Sequence, residues 1–275
     1  MRYDSPMSTR WITALTMIVA CTITGVARAA EPPALAKART LYNESNFEGA
    51  IDAAAVSRRQ AGWADASALV IGRSHLERYR QRRDPKDLAA AREALITVRL
   101  AMLMPRDQVD LIIGLGLSLY HGELFGAAGN LFDTALTRGT MLPPRDRRQL
   151  LDWWATALDR QAQAGPADRR RAVFERIAAR MDEELKQDPG GAVALYWRAV
   201  ATRGAGDLSG AWDYAIAGWV QSTLEPDTSE SLRGDLDRLV QQALIPERSR
   251  LLSRDPQEAV STLRNEWELV KQQWK

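Results

Sequence analysis

From Pro33 onward the apolar residues recur every three or four positions, and this period limits what the chain can fold into more than any other property. Val260, Leu263, Trp267, Val270 and Trp274 fall on one helical face, and so do Leu232, Leu236, Leu239, Val240 and Ala243. The alternation of β-branched and polar residues that marks a half-buried strand is absent. Short breaks at Asp84-Pro85, Leu142-Pro143-Pro144, Gly165-Pro166, Asp188-Pro189-Gly190-Gly191, Glu225-Pro226 and Ile245-Pro246 punctuate the pattern. Proline lacks the N–H that a helix interior needs, so each break ends one helix and allows another to start. The sequence therefore predicts an all-α chain of antiparallel helices.

The N-terminus reads differently. Arg2 and Arg10 precede an uncharged stretch from Trp11 to Val26, and Ala27-Arg28-Ala29 offers a small-x-small cleavage pattern. Charged flank, apolar run and small-residue site together predict a signal peptide over residues 1–29 and an exported, periplasmic or secreted protein. Sixteen uncharged residues are shorter than the ~20 of a spanning helix. An alternative uses Cys21: Ile18-Val19-Ala20-Cys21 loosely resembles a lipoprotein box, with a lipid on Cys21 as the anchor. A membrane is expected to be met only in one of these two ways.

Composition narrows the function classes. The 275 residues are 45% hydrophobic and 26% charged, with 37 Lys+Arg against 35 Asp+Glu. Once Arg2, Arg10, Arg28 and Asp4 are set aside the rest is formally neutral. That balance disfavours a nucleic-acid partner and long-range electrostatic steering. A single cysteine and two histidines leave no material for a thiolate or histidine-rich metal site, so no metal and no cofactor are expected.

The helices also repeat. From Gly116, Ala128 lies twelve residues on, Phe132 sixteen and Ala135 nineteen, with Leu115 and Phe125 alongside. Ala38 and Ala50 are again twelve apart, with Leu41, Tyr42, Phe47 and Ile51 around them, and so are Ala199 and Ala211. Gly72 and Ala91 are nineteen apart, and Ala38 precedes Gly72 by thirty-four. This pattern resembles the tetratricopeptide repeat (TPR), whose two helices carry Gly, Ala, an aromatic and Ala at those offsets. The resemblance implies a right-handed α-solenoid of helix pairs over 30–228. The segment 229–275 does not match and is expected to be a C-terminal helical cap, because a solenoid must cover its last apolar face.

In that family the first helices of successive repeats line a concave groove for an extended peptide or a partner helix. Carried onto this chain by counting from each anchor, the resemblance implies Arg39, Tyr42, Asn43, Arg73, Glu77, Tyr120, His121, Tyr196 and Arg203 as candidate groove residues. Arginine and tyrosine there suit carboxylates, backbone carbonyls and ring stacking. Only Arg39, Asn43 and Arg73 follow the family's clamp for C-terminal carboxylates, so that specificity is not implied.

No catalytic constellation emerges. Gly114-Leu115-Gly116 lies inside a helical repeat, not between a strand and a helix, and no Gly-x-Ser-x-Gly elbow occurs. The acids Asp182-Glu183-Glu184 point in different directions on a helix. His75 and His121 are expected on helix surfaces, and the arginine clusters at 78–83, 145–148 and 169–171 on solvated faces. Eight of the nine tryptophans lie beyond residue 29. Adjacent residues on a helix point about 100° apart, so Trp153 and Trp154 cannot both face the core and one is a candidate contact residue. The reading is a non-enzymatic exported scaffold for a protein or peptide partner. One alternative is a ligand-binding accessory protein of an envelope transport system, which an aromatic-lined pocket would favour. Another is a carbohydrate-active enzyme on a helical scaffold.

Overall fold

Helix starts sit where the sequence supplies a cap or an N-terminal proline. The side chains of Asn46, Asp84 and Asp207 accept the backbone N–H of Gly49, Lys86 and Gly210. Pro33, Pro85, Pro105 and Pro144 occupy first helical positions, where the missing N–H costs nothing. The computed structural model describes residues 30–139, 142–224, 229–252 and 256–274. The expected signal peptide, Cys21 and the 228/229 boundary lie wholly or partly outside the described residues. The chain divides into Met1–Ala30 and a second unit, Glu31–Lys275.

In the second unit the helices are α1 (Pro33–Asn43), α2 (Phe47–Ser57), α3 (Ala64–Arg82), α4 (Pro85–Ile96), α5 (Pro105–His121), α6 (Phe125–Arg138) and α7 (Pro144–Ala164). They continue as α8 (Ala167–Gln187), α9 (Ala192–Gly204), α10 (Leu208–Ser222), α11 (Ser229–Leu239), α12 (Ile245–Leu252) and α13 (Pro256–Gln273). A π turn, Val240–Leu244, joins α11 to α12. Among the described residues there is no strand, and no helix long and apolar enough to cross a membrane. Each helix from α1 to α10 packs on the next, an all-helical arrangement consistent with a helical repeat.

The small residues explain how the helices come so close. Ala38, Ala50, Gly72, Ala91, Gly116, Ala128, Ala135, Ala199 and Ala211 are all buried. A Cβ on Gly116 would lie 2.5 Å from the Phe132 ring, and one on Gly72 2.6 Å from Leu95 Cγ. Phe132 is itself fully buried, so it fills the space that the glycine leaves open. At the far end, Trp267 of α13 is buried against Trp212 and Trp219 of α10, with ring centroids 6.2 and 5.4 Å away. Its indole N–H donates to Asp237 at 2.8 Å, which satisfies the one polar atom the ring carries inside.

The odd-numbered helices form a second set of contacts. α1 packs on α3, α3 on α5, α7 on α9, and α9 on α11. Between α5 and α7 the backbones stand further apart than in these pairs, and side chains fill a wedge between them.

The Gly116 contact is testable. Overpacking of a rigid buried ring costs about 1–3 kcal/mol, more than the roughly 1 kcal/mol that alanine gains over glycine as a helix former. Gly116→Ala is therefore expected to lower the urea midpoint of unfolding; a midpoint raised by the substitution would contradict the close approach.

Candidate functional site

The odd-numbered helices present a face crossed by a ladder of charges. Arg39 of α1 reaches past α3 to Asp107 in the first turn of α5. Its two terminal nitrogens donate to the two carboxylate oxygens at 3.0 and 2.7 Å, and its Nε donates to Glu31 at 2.9 Å. Asp107 is buried, and its carboxylate and hydrogen bonds raise the Arg39 pKa further. One turn along, Arg73 donates to Asp110 at 2.8 Å, and its guanidinium lies 4.6 Å from the centroid of Tyr42. Arg106 pairs with Asp110 at 3.4 Å and donates to Asp146 of α7 at 2.9 Å. Burial raises the Tyr42 hydroxyl pKa, an effect that Arg73 opposes. Asp107 and Asp110 sit near an α-helix N-terminus, where negative charge is favoured.

Two cavities open in the wedge between α5 and α7. The first holds about 600 Å³, part of it open to solvent, and is lined by Tyr42, Arg73, Arg106, Asp110, Asp146 and Trp153, among others. The second holds about 550 Å³, again part of it open to solvent, and is bounded by Arg80, Tyr120, His121, Phe132, Asp152 and Trp153. Trp153 and Leu117 line both, so the indole stands as a partition. Its neighbour Trp154 is turned inward, 1% exposed, with Arg176 and Arg180 over its ring. Aromatic walls with a few convergent polar groups are the general composition of a ligand pocket.

His121 sits edge-on to Tyr79 and Tyr120, at 5.0 and 5.6 Å between centroids. Burial, and then the positive charges of Arg83, Arg80 and Arg92, push its pKa down to about 4. It is therefore neutral at pH 7, and its Nε2 is buried with no hydrogen-bond partner among the described residues. Across the cavity Asp152 accepts the Trp197 indole N–H at 2.9 Å, and burial pushes its carboxyl pKa up.

The sequence-derived groove residues thus fall into three places. Arg39, Tyr42, Arg73 and Glu77 gather at or beside the first cavity, and Tyr120 and His121 line the second. Asn43 is exposed at the end of α1. Tyr196 and Arg203 lie on α9, and Arg203 turns to a helix that follows. Arg203 forms a two-pronged pair with Glu247 of α12, at 3.0 and 2.5 Å. The Tyr196 hydroxyl pKa is pushed up by burial and by Asp235 of α11, with Asp152 and Asp159 adding to it.

Both histidines depart from the helix-surface expectation. His75 Nδ1 lies 2.9 Å from the buried carboxylate of Asp87, and His121 is packed between tyrosines. The arginine clusters lie mostly on exposed positions: Arg80, Arg82, Arg83, Arg145, Arg169, Arg170 and Arg171 are exposed, while Arg78 pairs with the buried Asp87 and Arg147 with Glu184. Asp107, Asp110, Asp152 and Trp153 carry much of this face, yet counting from the small-residue anchors passes over them. Asp110 shares a helical stripe with Gly114 and Leu117, a signal available to an inspection of the whole α5 face. Among the described residues no three His, Cys, Asp or Glu side chains gather closely enough to hold a metal ion.

No family model, curated protein or solved structure matches the chain. Fold and site define an all-α protein of packed helices with a charged, aromatic-partitioned cleft between α5 and α7.

Two measurements probe this geometry. Arg39→Ala strips the buried Asp107 of its partner and is expected to cost about 1.5–3 kcal/mol, typical of a charged hydrogen bond. Adding Asp107→Asn is expected to recover part of the loss, and strictly additive costs in urea unfolding would contradict the pairing. His121 carries a folded-state pKa of about 4 against an ordinary 6.5. Between those values the unfolded chain binds the extra proton, so stability falls as pH drops from 6.5 toward 4. His121→Gln is expected to flatten that part of the stability–pH curve; an unchanged slope would contradict the buried neutral imidazole.

Proposed function

We propose that the chain is an exported, non-enzymatic, TPR-like right-handed solenoid that binds a peptide segment or protein partner along the face of its odd-numbered helices. The observation that carries this reading is the pair of cavities on either side of Trp153. Two neighbouring pockets separated by one aromatic side chain suit alternate side chains of an extended segment. The ladder of Arg39, Arg73 and Arg106 is already neutralised by Asp107, Asp110 and Asp146. It therefore supports a role in holding the helices in register, with Tyr42, Glu77, Gln149 and Trp153 left as the groups that line the opening. The pairing of Asp110 and Asp146 with a shared Arg106 suits binding better than proton transfer. Export rests on the pattern of residues 1–29.

A second reading, a ligand-binding accessory protein of an envelope transport system, draws support from the aromatic lining of the second cavity. A photo-cross-linking residue separates the two. Placed at Gln149, which is exposed at the rim of the first cavity, it is expected to trap one protein in the native envelope. The same group at Arg171, exposed on α8, is expected to trap none. Equal trapping at both positions, or none at Gln149, would count against the peptide-groove reading and favour a small ligand.

A further inference from the structure

The second cavity contains a carboxylate without a countercharge. Asp152 accepts one hydrogen bond, from the Trp197 indole, and no cation pairs with it among the described residues. The charge that acts on it is that of Asp235, of the same sign, and together with burial it raises the carboxyl pKa. The acids of the first cavity differ: Asp110 has Arg73 and Arg106, and Asp146 has Arg106. A half-buried carboxylate left unpaired is costly unless something else supplies the positive charge.

The walls around Asp152 suit such a charge. Trp153 and Tyr120 present aromatic groups, and indole and phenol faces attract cations through their negative π clouds. His121 is neutral at pH 7, so it adds no repulsion of its own. Arg80 lines the cavity, but Glu77 holds its guanidinium at 2.7 Å. The described residues offer no cluster that would chelate a metal ion, so the geometry favours an organic cation.

We propose that this cavity receives a primary ammonium or guanidinium on an alkyl stem, with the cation against Asp152 and the stem along Trp153 and Tyr120. The proposal rests on reading this face as the binding face, and it names the side-chain chemistry that the face selects. The cation comes from a lysine or arginine of the bound segment, or from a free amine of the same shape.

The Trp197 indole N–H bonds to Asp152, which makes its nitrogen–proton NMR signal a direct reporter. On nitrogen-15-labelled protein, the Trp153 and Trp197 indole signals are assigned with Trp153→Phe and Trp197→Phe. Three probes are then titrated: N-acetyl-lysine methylamide, N-acetyl-norleucine methylamide, which keeps the alkyl stem and lacks the ammonium, and cadaverine. The lysine amide is expected to shift both signals saturably, with a Kd roughly tenfold below that of the norleucine amide, the ratio that 1.4 kcal/mol provides. Asp152→Asn retains an oxygen acceptor for Trp197, so the fold is kept, and it is expected to erase that preference. Cadaverine binding as tightly as the lysine amide assigns the cation to a free amine; weaker binding assigns it to a peptide side chain. Equal affinity for the norleucine amide, a preference that survives Asp152→Asn, or no shift at all would overturn the proposal. Success here with no cross-link at Gln149 removes the peptide reading and leaves the cation site standing, whereas a cross-link without this preference does the reverse.

Discussion

Close approach between paired helices, made possible by glycine and alanine at their crossings, is the constraint on which the rest of the structure depends. Gly116 admits the Phe132 ring, and Gly72 admits Leu95. Alanines at 38, 50, 91, 128, 199 and 211 are fully buried in the same setting. Interiors are packed like crystals, so one added methyl at such a crossing has nowhere to go without moving a neighbour. With each helix held tightly to the next, the odd-numbered helices are left side by side, and long side chains can reach from one to another. That is how Arg39 meets Asp107 across the intervening α3.

The departure from this regular packing is informative. Where α5 and α7 separate, the backbone no longer closes the face, and Leu117 and Trp153 take its place. The two cavities differ in charge. On one side of Trp153 every carboxylate has an arginine, and that network ties α3, α5 and α7 together. On the other side Asp152 has, among the described residues, only an indole N–H. A neutralised network contributes rigidity and register, while an unpaired group at a cavity wall is available to a ligand. The same backbone gap therefore combines a half whose carboxylates are paired with arginines and a half whose carboxylate, among the described residues, is not.

Much of the architecture is legible in the amino-acid order because it follows from local rules. The twelve- and sixteen-residue spacings from Gly116 to Ala128 and Phe132 lie within two helices, and the proline breaks mark where those helices end. The site is less legible because it depends on residues far apart in the chain. Asp107 and Arg39 are separated by 68 positions, and no local pattern pairs them. Counting from the anchors brings Tyr42, Arg73, Glu77, Tyr120 and His121 to the two cavities. It also selects Tyr196 and Arg203, which lie beside α11 and α12, because the repeat pattern carries no information about how the C-terminal helices fold back. For Trp153 and Trp154 the helical period establishes that only one can face the core, and packing against α6 decides that Trp153 is the one at the cleft.

The proposed binding face is the wedge between α5 and α7. Amide hydrogen exchange on the chain, free and in complex with the protein trapped through Gln149, tests it most directly. The account predicts slowed exchange at the side of α5 and α7 that borders the cavities, with α8 unchanged. Protection confined to α8, or spread evenly over all helices, would contradict it.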